Sequence, residues 1–328
     1  MTTAPADAQN LVYRFRSWLA GSLALAAILF VGISAWAGFS EVGAALGAFH
    51  WRWLVPALVL TVLGNYWLRF LKWHWLVRRL GVQVSLADNL LVFVAGLAMV
   101  ISPGKAGEIL KPYLVRERTG APMATTIPAL VAERLTDGIA ALLIAAVSVS
   151  RFAADEAYLV YGTIGACLAA IAVLMNEALS LAIIRSMSRL PLIRRVADKL
   201  EEMYRALRAC LAPWPLFVTL VVSIVAWFAE CWGYQLVWLG FGREVGLEVS
   251  CFIYAFATVL GGAAPGGLFL ADGALVALPE TLLGLPEGEI VATALLIRVA
   301  TLWTGVVMGA IALLFVGRLL KGGTPPAR

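Results

Sequence analysis

Ser102–Arg134, SPGKAGEILKPYLVRERTGAPMATTIPALVAER, lies between apolar runs long enough to sit in a bilayer. Yet it carries Lys105, Glu108, Lys111, Arg116, Glu117, Arg118, Glu133 and Arg134. A charged side chain at membrane depth costs about 2.5–3.5 kcal/mol on insertion scales. So many charges near hydrocarbon must be enclosed by protein or water. The Ser102-Pro103-Gly104 break adds non-helical backbone, tolerated at that depth only where it is buried in protein or lines a cavity. The stretch reads as one wall of a polar site inside a membrane protein.

Composition supports the setting. The chain is 62% hydrophobic and 14% charged, against about 45–50% and about 25% in soluble domains. Mean hydropathy is +0.89. The apolar runs are long and lack strand alternation, so the spans are helical. The expected fold is an all-α integral membrane protein forming a single transmembrane domain over residues 1–328. It holds about six full spans of about 20 residues each and two re-entrant helical hairpins. Cys167, Cys210, Cys231 and Cys251 are scattered, and His50 and His74 are isolated. These point to buried small side chains and not to a metal set, and no cofactor is expected.

Working outward, residues 1–17 form a polar, disordered cytoplasmic tail and Trp18–Phe39 a retained first span. Glu41–His50 is a loop and Trp51–Val77 the second span. Leu86–Ile101 is short and runs into the Pro-Gly break, followed by a half-length helix, Lys105–Arg118. Ala121–Ser150 is the third span and Tyr158–Met175 the fourth, with an extension toward Ile184. Between 185 and 211 the spacing of Leu200, Met203, Leu207 and Leu211 gives a basic amphipathic helix. It suits an anionic membrane surface or a plain cytoplasmic connector. Pro213–Leu239 is the fifth span. Val249–Ala264 meets a second break, Pro265-Gly266-Gly267. Leu268–Leu283 is the matching half-helix and Ile290–Val316 the last span.

Charge orients this arrangement. With both termini cytoplasmic and the hairpins entering from opposite sides, twenty Lys and Arg lie inside. Three lie outside (Arg52, Arg151, Arg243) and two within spans (Arg134, Arg298), accounting for all 25. Such a bias fixes orientation.

The two breaks repeat one pattern. Glu108 precedes Arg134 by 26 residues, and Asp272 precedes Arg298 by the same number. Each acid follows a Pro-Gly break and each arginine lies in the next span. Residues 51–150 and 213–317 therefore read as two units of opposite orientation. Transporters built from inverted repeats place substrate at the repeat interface, on broken helices. A half-helix starting after Pro-Gly turns its free N–H groups toward an anion. Lys105, Arg134 and Arg298 would add charge-assisted bonds to a phosphate. The alternative is that Glu108–Arg134 and Asp272–Arg298 are buried ion pairs that only fix packing. Arg69, beside Asn65 and Lys72 on span two, and Glu230 on span five occupy corresponding places. They either line the same cavity or, for Arg69 and Lys72, snorkel to the inner interface. Glu133 and Asp137 flank Arg134.

PGKAGEILKPYLVRERTG with AERLTDGIA, and APGGLFLADG with LLIRVATLWTG, resemble the paired signatures of the lysylphosphatidylglycerol synthase transmembrane family. This is the flippase-like membrane domain of bacterial aminoacyl-phosphatidylglycerol synthases, also found free-standing. The resemblance implies a protein that moves a polar-headed lipid between leaflets of a bacterial-type cytoplasmic membrane. It maps the family's Gly-Glu onto Gly107 and Glu108 and its Glu-Arg onto Glu133 and Arg134. In the second signature Phe269 stands where the family has glycine, and Asp272 where it has glutamate. No segment resembles the soluble aminoacyl transferase domain, so synthesis of lysyl-lipid by this chain alone is not expected. The candidate substrate-binding residues are Pro103, Gly104, Lys105, Gly107, Glu108, Lys111, Arg118, Glu133, Arg134 and Asp137 in the first unit. Pro265, Gly266, Gly267, Asp272 and Arg298 follow in the second, with Arg69 and Glu230. The expected partners are anionic or zwitterionic membrane lipids, not nucleic acid. Two other functions stay open: a non-transporting membrane partner that presents lipid to a separate enzyme, and a small-anion transporter.

Overall fold

The computed structural model describes residues 37–100, 108–152, 158–187, 197–263 and 267–321, with isolated positions between 28 and 35. Among these every regular element is helical. Helix α1 is Phe39–Ala48, where a loop was expected. Gly38, at φ +83°, turns the chain into it. Ala44, Ala45, Leu46 and Ala48 then supply strong helix formers.

Trp51–Arg79 forms α2, 29 residues long, passing through a π-helical stretch at Leu60–Tyr66. Helix α3 is Leu86–Leu97, started by Ser85, whose Oγ accepts from the Asp88 N–H at 3.1 Å. Helix α4, Leu110–Thr119, stops at Gly120 in the left-handed region. Helix α5 is Met123–Phe152, α6 Tyr158–Met175 and α7 Glu177–Met187. The expected run from α6 toward Ile184 is broken at Asn176. Its side chain accepts from the Leu179 N–H at 3.1 Å and so starts a new helix. Next come α8, Ala197–Leu211, and α9, Pro213–Gly240. Helices α10, Leu247–Ala263, and α11, Gly267–Leu283, lead to α12, made of Glu287–Arg298, a π-helical Val299–Trp303 and Thr304–Lys321.

Among the described residues three helices are long and apolar enough to cross a membrane: α2, α9 and Glu287–Gly317 of α12. Helix α5 has comparable length at 30 residues but carries Glu133, Arg134 and Asp137 within two turns. Most of the expected first span lies outside the described residues, and so do Pro103, Gly104, Lys105, Gly107, Pro265 and Gly266. Gly267 is the first residue of α11.

Helix α8 does not keep an apolar face for lipid. It lies along α5, burying Tyr204, Cys210 and Leu211. Tyr204 donates to the Leu174 carbonyl at 2.9 Å, and Arg208 pairs with Glu177. The stretch 188–196, with Arg194 and Arg195, lies outside the described residues.

The packing runs crosswise. Helix α5 lies along α10, and the Thr304–Lys321 part of α12 lies along α3, while α9 packs on both α2 and α5. Inside lipid, where apolar burial gives helices little reason to associate, close backbone approach and van der Waals fit hold them together. Gly309 permits the α12–α3 contact, since a Cβ there would fall 2.2 Å from the Ala98 nitrogen. Gly64 does the same for α2 on α9, where a Cβ would fall 2.6 Å from that of Ala229. Outward, Val55, Val59, Leu63 and Trp67 on α2 form an exposed apolar stripe. Trp214, Phe217, Val221, Val225, Phe228 and Trp232 form another on α9. Side chains three and four apart share a helix face, so each stripe presents one continuous surface to acyl chains.

Candidate functional site

The charges converge inside these helices. At 1.5 Å per residue, Arg69 lies about 15 Å along α2 from Arg79, and Glu133 about 15 Å along α5 from Met123. Glu230 lies about 15 Å from the Gly240 end of α9, and Arg298 about 16 Å from the Glu287 end of α12. Each of the four therefore lies well inside its helix, about 15 Å or more from either end.

Helix α5 is the hub. Glu133 Oε2 takes Lys111 Nζ from α4 at 2.6 Å, and its Oε1 lies 3.6 Å from Arg69 and 3.7 Å from Arg134. One turn on, Asp137 Oδ1 takes Lys72 Nζ at 2.5 Å, while Oδ2 lies 3.3 Å from Arg69 and 3.8 Å from Arg134. Arg134 Nε meets Glu108 Oε2 at 2.6 Å. Lys72 also donates to Ser223 Oγ of α9 at 2.7 Å, and Ser223 donates to Asp137 at 3.0 Å. Gly96 clears the route by which Lys111 reaches Glu133: a Cβ there would sit 2.7 Å from Lys111 Cγ. The ammonium of Lys111 rests over Trp73, 4.5 Å from the ring centroid, and the Arg69 guanidinium over Trp227 at 5.5 Å.

The second unit contributes a smaller group. Arg298 Nε pairs with Asp272 of α11. Glu230 Oε2 accepts from Tyr254 of α10 at 2.7 Å. Glu230 is within electrostatic reach of both Arg69 and Arg298, so α9 links the two groups. Tyr66 spans them as well, donating from the π-helical stretch of α2 to the Thr301 carbonyl in that of α12.

Five cations (Arg69, Lys72, Lys111, Arg134, Arg298) thus face five carboxyls (Glu108, Glu133, Asp137, Glu230, Asp272). All are largely buried, Arg134 being the most open at 27% of its side chain. Glu108 Oε1, Glu133 Oε1, Asp137 Oδ2 and Asp272 Oδ2 accept no well-formed hydrogen bond. Glu133 Oε1 and Asp137 Oδ2 instead face the Arg69 and Arg134 guanidinium groups at 3.3–3.8 Å. The arginines are held by charge more than by geometry, leaving donors able to exchange partners.

Both acid–arginine pairs expected from the 26-residue spacing form. Arg69 and Lys72 point into the cluster and do not snorkel outward: they are 5% and 3% exposed. Arg118 stands apart, pairing with Asp88 of α3 at 2.9 Å in a half-exposed position. Sequence reasoning missed Ser223, Tyr254 and Tyr66, since a hydroxyl in an apolar run carries no pattern of its own. Among the described residues no group of His, Cys, Asp and Glu is placed to hold a metal ion.

Comparison with known proteins agrees with a multi-pass membrane protein. The chain is 25% identical over 316 residues to a UPF0104 membrane protein of Methanothermobacter thermautotrophicus, covering 88% of this chain and 90% of that one. No solved structure matches. A family model described as the lysylphosphatidylglycerol synthase TM region matches residues 19–309, and the chain belongs to that family.

Proposed function

We propose that this protein moves a polar-headed, phosphate-bearing lipid between leaflets of the membrane, through the buried charge cluster between its two units. One observation carries the reading: ten ionisable groups from both halves gather in the interior of the helix packing, largely shut off from solvent. A purely structural ion pair needs two such groups, and burying ten is costly. A phosphate offers Arg134 and Arg298 a bidentate partner in place of carboxylates that each now holds through one oxygen. The headgroup enters by exchange, displacing Glu108 and Asp272 from their arginines, and the acyl chains stay outside against the apolar stripes.

Family membership gives the lipid context. The crosswise packing of α5 on α10 and of α12 on α3 supports an inverted pair of units with re-entrant hairpins, rocking about the α2–α9 contact. The process is transport, with no covalent step, in a bacterial-type cytoplasmic membrane with both termini inside. The test is a leaflet assay in proteoliposomes containing acyl-chain-labelled NBD-phosphatidylglycerol, with dithionite quenching the outer leaflet. The wild type speeds transbilayer movement well above that in empty vesicles. Equal rates with and without protein, for anionic, zwitterionic and lysyl-bearing headgroups alike, would remove the proposal.

A further inference from the structure

Glu230 differs from the other four carboxyls of the cluster. Each of those has a cationic nitrogen within 4 Å; Glu230 is 4% exposed and has none among the described residues. Its hydrogen bond comes from a neutral phenol, Tyr254, at 2.7 Å. A buried carboxylate without a cation carries its desolvation cost unshared. It is also the one acid of the five that can change charge without breaking an ion pair.

The charge balance gives this a consequence. Among the described residues, with Glu230 ionised, five positive groups meet five negative ones. With Glu230 protonated the cluster carries one net positive charge, in a setting of low dielectric where a single charge acts strongly.

Building on the lipid-transport reading, we infer that Glu230 is the proton-binding site of the transporter. A proton on its carboxyl opens the cluster to an anionic headgroup, and proton and headgroup leave together on the other side. The groups facing Glu230 are few. Helix α2 presents Tyr66 and Arg69, α5 presents Asp137, α10 presents Tyr254, and α12 presents Arg298 with Asp272 of α11 behind it. Helix α8 joins α9 at its distant Pro213 end, and Cys231 is the neighbour in sequence. Both arginines already hold another acid, so Glu230 alone answers to the proton. The sign follows: headgroup entry is favoured as pH falls and is lost as pH rises through the titration of Glu230.

Two measurements on the full-length protein test this. The first is infrared difference spectroscopy of the purified protein across a pH step, reading the protonated-carboxyl C=O band in wild type and Glu230→Gln. Glutamine keeps an acceptor for Tyr254 and the shape of the site. The band is expected in the wild type and is lost in the variant; a band that persists in Glu230→Gln overturns the assignment. The second uses NBD-phosphatidylglycerol in proteoliposomes. Wild-type movement rises as pH falls, by up to about tenfold per unit, the limit for one titrating group. An imposed pH gradient drives label from the acid-side leaflet to the alkaline-side leaflet. Glu230→Gln loses both responses. Lipid movement indifferent to pH in the wild type overturns the coupling but leaves lipid transport standing. No lipid movement at all, with the infrared band present, removes transport and coupling while Glu230 remains a proton site.

Discussion

Asp272 and Arg298 show what a buried pair costs to break. Removing Arg298 alone leaves an uncompensated carboxylate, worth roughly 3–5 kcal/mol of destabilisation. Replacing both by apolar residues of similar size is close to neutral for stability. Arg298→Ala is therefore expected to lower the thermal midpoint of the purified protein clearly, whereas Asp272→Leu with Arg298→Met stays near wild type. Under the transport reading the double variant nonetheless moves no NBD-phosphatidylglycerol. Near-normal movement by a stable double variant would reduce the pair to a packing device. Tyr66 invites a gentler probe. Tyr66→Phe removes one donor from the Thr301 carbonyl, which keeps the Thr304 N–H, at about 0.5–1.5 kcal/mol. Melting curves read that loss directly, and an unchanged midpoint would mean the bond holds nothing together.

At the scale of elements, the sequence told most about helices and least about how they touch. The acid–arginine spacing of 26 was legible because both members are charged residues in apolar surroundings. Helix α1 was missed because Gly38, Ser40 and Glu41 look like loop residues, although they also begin a helix well. For α8 the sequence left a membrane-surface helix and a plain connector both open, because periodicity shows that a face is apolar, not what covers it; in the structure α8 packs on α5. Close approaches were illegible too, since a glycine in a span looks alike whether or not a neighbour crosses it. Gly309 supplies the check. A Cβ there meets the Ala98 backbone, which cannot swing away as a flexible side chain would. Gly309→Val is expected to cost at least about 1–3 kcal/mol through overpacking and to separate α12 from α3. Gly273, whose Cβ meets nothing within 4 Å, serves as control, and Gly273→Ala should leave the melting midpoint nearly unchanged.

At the scale of the whole molecule, the transport proposal calls for two units facing opposite ways. The Lys and Arg bias predicts α4 inside and the α11–α12 turn outside, an expectation that accessibility tests. Lys111 is buried and unsuitable as a reporter, whereas Glu117 and Glu280 are exposed. Glu117→Cys is expected to react with an impermeant maleimide only from the cytoplasmic face, and Glu280→Cys only from the opposite face. Reaction of both from one face would end the inverted arrangement.

The most direct test of the central claim asks where a headgroup rests while it crosses. Phosphatidylglycerol bearing a photoreactive group on its glycerol head is incorporated into vesicles with the wild-type protein and irradiated, and the adducts are located by peptide mass spectrometry. The account predicts adducts on α5 around Arg134 and on α12 around Arg298, suppressed by excess unlabelled lipid. Adducts confined to the helix ends, around Arg116 and Glu117 or Glu280, with none at mid-membrane, would contradict it.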